Sequence, residues 1–162
     1  MNRWNPFSLG LCFIAIAALL LGSGAHAVPP AGKLAVIVAK DSLVKNLSRD
    51  ELKRIFLSDA VIVGGRKLVP FNFAPGTPPR RGFDKSLLGM SEDVMQRFWI
   101  DRKVRGQPGA PRSLPSSLVV IGVTAKFPGA IAYLPARDLT AEVQAVTIDG
   151  IPHTSPAYSI TE

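Results

Sequence analysis

The chain is poor in the residues that most often carry chemistry. Among its 162 residues there is one cysteine, Cys12, and there are two histidines, His26 and His153. Cys12 lies inside an apolar run near the N-terminus, so a disulfide framework is excluded and no thiol nucleophile remains in the body of the chain. Only His153 lies beyond residue 27, which is too few for a His-ligated metal centre. A Ser-His-Asp arrangement would have to use His153, in a polar stretch, and no G-x-S-x-G precedes it. There is no Walker loop and no G-x-G-x-x-G to cradle a nucleotide. Asp138 and Glu142 form one carboxylate pair at a common spacing, which does not by itself indicate acid/base chemistry. The residues therefore point to a non-enzyme that needs no cofactor and no metal. The 14 glycines and 14 prolines follow no G-X-Y period, which excludes collagen.

What is present is a hydrophobic fraction of 47%, too high for a disordered chain, at a length that suits one domain. Met1 to Ala27 reads as a secretory signal. Arg3 supplies the positive region, Leu9 to Leu21 the uncharged apolar core, and Ala25-His26-Ala27 an A-x-A cleavage site. Cleavage near Ala27 is expected to leave a periplasmic or secreted form starting at Val28, not membrane-spanning and free of cysteine. Such a domain must be held by its core alone.

Periodicity then predicts an α/β domain over residues 28–151, with 152–162 as a polar, loosely held tail. Leu34 to Ala39 is a short, branched apolar run of the kind buried on both faces of a sheet. Ser48 and Glu51 form a capping box, and Leu52, Ile55 and Phe56 make one apolar stripe behind it. Leu68 to Phe73 reads as a strand, with Pro70 arguing for an edge or a strand end. Thr77 is placed as the cap of a helix that starts at Pro78 and stops at Gly89. Ser91 caps the next helix, whose Val94, Met95, Phe98 and Trp99 recur at helical spacing, with Met95 and Trp99 assigned to the core. Gln107 to Pro115 reads as a proline-rich loop. Ser116 to Lys126 is open between strand, from its branched residues, and helix, from its serine cap. Ala130 to Leu134 is a buried strand and Val143 to Ile148 an outer one.

The basic excess, 19 Lys+Arg against 12 Asp+Glu for a net charge of +7, is spread over helix faces at Arg80, Arg81 and Lys85 and at Arg97, Arg102, Lys103 and Arg105. Either these are solvated faces, or they attract an anionic partner. Nucleic acid is not expected, because an exported domain without a recognition motif has no use for it.

Several strings, in order along the chain, resemble the periplasmic phosphate-binding proteins of ABC transporters. Leu34 to Ala39, followed by Leu47-Ser48-Arg49-Asp50-Glu51-Leu52 and Ile55-Phe56-Leu57, is similar to that family's apolar strand, its "L-S/T-x-x-E/Q-L" and its "I-F-x-G". Pro75-Gly76-Thr77 with Arg80 and Phe83 resembles the family's S-G-T loop and the helix after it. Phe127 to Leu134 resembles "T-P-G-A-I-G-Y-V". The resemblance implies a single lobe of a periplasmic-binding-protein-like fold, with a mixed sheet flanked by helices. It also implies an anion site at Gly76, Thr77, Arg80 and Arg81, with phosphate or another small oxyanion as ligand. An ABC permease or another envelope protein would be the partner.

The chain departs from the pattern in three places. It lacks the opening G-S/T-rich loop, the carboxylate that accepts the phosphate hydrogen, and the tryptophan expected between Ser58 and Lys67. Pro78 and Pro79 also carry no N–H, which removes two donors from the helix start where an anion would sit. The other reading of the same residues is a periplasmic interaction module that kept the lobe and lost the ligand.

Overall fold

The structure, a computed structural model, describes residues 32–162. The segment read as a signal peptide, with its cleavage point, lies outside the described residues. In chain order the elements are β1 (Leu34–Ala39), β2 (Asn46–Leu47), α1 (Arg49–Phe56), β3 (Ile62–Val63), β4 (Arg66–Lys67) and β5 (Val69–Phe73). Next come α2 (Pro78–Phe83), which runs into a π-helical segment (Asp84–Leu88), then α3 (Glu92–Val104) and β6 (Arg112–Leu114). The chain continues through α4 (Ser117–Lys126), β7 (Ala130–Pro135), a short 3-10 turn (Ala136–Asp138), β8 (Val143–Ala145) and β9 (Thr147–Ile148).

A five-stranded sheet in the order β6-β5-β7-β1-β8 carries the core. It is mixed: β1 runs antiparallel to β7 and β8, while β5 runs parallel to β6 and β7. The two central strands are the two continuous apolar runs of the sequence. Apart from Ala39, both are buried from end to end, as a sheet covered on both faces requires. α4 lies across β7 and β1, and α1 and α2 pack against β5. Tyr133 of β7 anchors an aromatic cluster, its ring stacked on Phe83 at 3.7 Å and tilted against Phe56 and Phe73. Such pairs add about 0.5–1.5 kcal/mol each beyond the area they bury. Burial pushes the Tyr133 hydroxyl far above the ordinary phenol range.

α1 forms where its capping box places it. The Ser48 side chain accepts from the Glu51 amide at 3.2 Å, and the Glu51 carboxylate accepts from the Ser48 amide at 2.8 Å. Ser116 to Lys126 resolves as helix, with Ser116 accepting from the Val119 amide. Its cap and tertiary packing outweigh the β preference of its branched residues. Val143 to Ile148 is broken at Val146 into two short strands, which lie in different sheets.

Of the two positions expected for Pro70, the strand end is the one it takes: β5 lies between β6 and β7, Pro70 stands near its start, and the β6 register begins only at Phe71, so the missing N–H leaves no gap there. Two expectations need correction. Gln107 to Pro115 is not loop throughout, since Arg112 to Leu114 extends the sheet as β6. The tail from Pro152 is not loosely held. Tyr158 and Ile160 are buried, the Leu34 amide donates to the Ile160 carbonyl at 3.0 Å, and the Glu162 amide donates to the Gly32 carbonyl at 2.8 Å. Arg137 pairs with Glu162 at 2.8 Å, and Arg49 donates to the Ser159 hydroxyl at 2.8 Å. Burying Ile160 alone contributes about 1.5–3 kcal/mol, enough to order a segment that also completes backbone pairing. Gly82 makes room for it, since a Cβ there would stand 2.1 Å from the Glu162 backbone.

Candidate ligand groove

β5 delivers the chain into the loop Ala74–Thr77, which holds Gly76 and Thr77 of the anion site that the family resemblance implies. Gly76 turns it with φ +80°, a conformation that suits glycine. Thr77 has the extended backbone of a cap, but its hydroxyl donates to the Ala74 carbonyl at 2.8 Å and makes no cap bond to the helix. Pro78 and Pro79 occupy the first two helical positions, so α2 opens with few free donors.

The two arginines that follow have different fates. Arg80 turns inward, where its Nε donates to Asp84 Oδ2 at 2.6 Å and its Nη1 to the Phe73 carbonyl at 3.3 Å. The two side chains of this pair are only 8% and 5% exposed. Burial, opposed by the Arg80 charge and its hydrogen bond, leaves the Asp84 carboxyl above the ordinary aspartate range. Arg81 turns outward, is exposed, and donates from Nη1 to the Gly76 carbonyl, bracing the loop. Of the four residues expected to hold an anion, Arg81 is thus the one whose charge faces solvent, while most of the Arg80 guanidinium is committed inside.

Facing this loop is α3. Ser91 caps it as expected, accepting from the Val94 amide at 3.4 Å, yet the helix does not bury the apolar residues assigned to its core side. Met95 alone is buried; Trp99 and Phe98 are half-buried, and Val94, Ile100 and Val104 are exposed. The face turned to the body consists of Glu92, Met95, Gln96, Trp99, Ile100 and Lys103, a helical i, i+3, i+4 series. This face borders a groove of about 720 Å³ instead of packing shut. Pro75, Arg80, Arg81 and Asp84 form the opposite wall, and Gln107, Gly109, Ala110 and Ser113 complete the lining.

Two buried polar atoms in this lining have no hydrogen-bond partner: Asp84 Oδ1, an acceptor, and Trp99 Nε1, a donor. Buried polar atoms are normally paired, so each requires a reason. Arg102 lies over the Trp99 and Phe98 rings, at 5.9 and 5.6 Å from their centroids. A second cavity, about 340 Å³, lies beside Asp41–Val44 and Gly64, Arg66 and Gly129. Among the described residues there is no cluster of side chains suited to a metal ion, and no helix long and apolar enough to cross a membrane.

No protein-family model matches the sequence, and no curated protein matches it significantly. Solved structures do match the fold. An ABC-type phosphate transport receptor from Vibrio cholerae superposes with a TM-score of 0.61 at 20% identity, over 76% of this chain and 48% of its own. A putative phosphate ABC transporter substrate-binding protein from Clostridium perfringens, solved with bound phosphate, gives 0.60 at 18% identity, over 76% and 47%. PstS from Borrelia burgdorferi gives 0.56 at 16%, over 74% and 48%. The chain therefore has a periplasmic-binding-protein-like α/β fold and spans about half the length of these proteins, as the single-lobe resemblance implies. The first two of these are, by name, a phosphate transport receptor and a substrate-binding protein of a phosphate transporter.

Proposed function

We propose that this protein is an exported, non-enzymatic binding domain that takes a small oxyanion such as phosphate in the groove beside Gly76, Thr77 and Arg81. The observation that carries the reading is the groove itself. A lobe whose fold is shared with phosphate-binding proteins opens a cavity at the end of β5, lined by Arg80, Arg81 and Lys103 against only Asp84 and Glu92. Ligands of open α/β sheets commonly sit outside the carboxyl ends of strands. Arg81 and Lys103 would supply the free charge, with the Gly76–Thr77 backbone beside them, and Arg80 would hold the wall. A single open lobe does not exclude water, so each contact is weak and the dissociation constant is expected at about 1 mM or weaker. An ABC permease or another envelope protein would receive the loaded domain.

Calorimetric titration with phosphate, with sulfate and chloride at matched ionic strength, tests this. A saturable phosphate signal that Arg81→Ala weakens supports it. Heat no greater than with chloride refutes it. A second reading, a protein-interaction module, is favoured by the exposed Val94, Ile100 and Val104 of α3, the last 82% exposed. In that case α3 would carry the binding and phosphate would give no signal.

A further inference from the structure

The groove is larger and more apolar than an inorganic anion requires. At about 720 Å³ it falls within the range of sites that hold organic molecules, about 300–1,000 Å³. Phosphate against Arg81 would leave the wall of Met95, Trp99 and Ile100 untouched. A ligand with an apolar body behind its charged end would cover that wall and still reach the two free cations, Arg81 and Lys103.

We propose that the groove takes a small organic anion rather than bare phosphate. Its charged end faces Arg81 and Lys103, and its apolar body lies along Met95, Trp99 and Ile100. This rests on the proposal above that the groove is an anion site, and it names the class of anion. The apolar contact explains why α3 stands off from the body: the space between them belongs to the ligand. It also explains the composition of that helix face, where Met95, Trp99 and Ile100 alternate with Glu92, Gln96 and Lys103.

The test uses protein recovered from cells expressing the full chain with Trp4→Phe, so that Trp99 is the sole indole and its emission reports the groove. Phenyl phosphate, inorganic phosphate and benzyl alcohol are titrated at matched ionic strength, with calorimetry in parallel. Phenyl phosphate is expected to shift Trp99 emission saturably and to bind at least about tenfold tighter than either other probe. Ile100→Ser removes apolar wall at a site 55% exposed, where folding is little affected. It is expected to cost phenyl phosphate most of its advantage and to leave phosphate unchanged. Equal affinity for phosphate and phenyl phosphate, both weakened by Arg81→Ala, overturns the organic-anion proposal and leaves the oxyanion reading standing. Benzyl alcohol binding as tightly as phenyl phosphate, or no probe binding beyond a chloride control, overturns both.

Discussion

Removing one half of the Arg80–Asp84 pair is expected to be among the costliest single changes in the molecule, and its cost should depend on pH. In Arg80→Ala, Asp84 keeps its burial and loses both the guanidinium at 2.6 Å and the charge that made ionisation tolerable. The Phe73 carbonyl loses its partner at 3.3 Å as well. Breaking a buried pair from one side costs about 3–5 kcal/mol, most of it from the stranded charge. The native Asp84 carboxyl already lies above the ordinary value of 3.8, with burial as the main cause and Arg80 opposing it. A raised folded value means that the neutral form is favoured in the fold. Its stability contribution is therefore full below the unfolded value and is lost as pH rises through the folded one. Without Arg80 the folded value climbs further, so the variant loses most near neutrality and recovers as acid neutralises Asp84. Urea denaturation followed by circular dichroism, at pH about 7.5 and about 5, measures the difference at each pH. A gap between variant and parent that narrows in acid is expected. The same gap at both pH values would refute the reasoning, because the cost would then come from packing rather than charge. Replacing both partners, as Arg80→Met with Asp84→Leu, should recover much of the loss, since apolar isosteres of a buried pair are often neutral or better.

Other expectations follow from single contacts. Ser48→Ala should cost about 0.5–2 kcal/mol through the lost cap, read as a lower denaturation midpoint. The Ser48 backbone and hydroxyl hold the Glu51 carboxyl below its ordinary value of 4.5, so the contribution of Glu51 is present above that value and fades as pH falls through the folded one; Ser48→Ala should reduce this acid sensitivity. Gly82→Ala should drive a Cβ into the Glu162 backbone, cost about 1–3 kcal/mol, and speed hydrogen exchange at the amides of Leu34 and Glu162; unchanged exchange would mean that the tail is not seated there. Intact-mass analysis of the exported protein should place its N-terminus at Val28, and recovery of residues 1–27 on the product would refute the cleavage expected from Ala25-His26-Ala27.

The elements that could be read from the sequence are those specified by near neighbours. The capping box of α1 lies within four residues, and the buried runs of β1 and β7 declare themselves by composition. α4 left helix and strand open because its apolar residues run all round; Leu118 and Val119 lie exposed while Val120 and Ile121 are buried, so no clean face marks it. The tail misleads by its polar residues, although Tyr158 and Ile160, two apart, carry the strand-like alternation that seats it. α3 misleads in the opposite sense. Its apolar residues, read as core, mostly meet solvent or a cavity, and only tertiary placement decides whether a helix face is packed or left open.

The candidate site shows why a motif match falls short of a site. Arg80 and Arg81 are adjacent in sequence and equal in charge, and the resemblance treats them alike. On a helix they diverge by about 100°, so one enters the body and the other leaves it. Asp84, four positions on, captures Arg80, while Arg81 donates to the Gly76 carbonyl. The acidic partner at i+4 of Arg80 belongs to the sequence itself and marks it as the arginine to be paired. Arg80 then serves the fold, pinning α2 to the Phe73 carbonyl at the end of β5. Arg81 stays open to solvent, and on the proposed reading it would meet the ligand with Lys103 across the groove. Two cations open to solvent and screened by salt give the groove little affinity or selectivity by charge alone. Whatever binds there must draw the rest from the apolar face of α3.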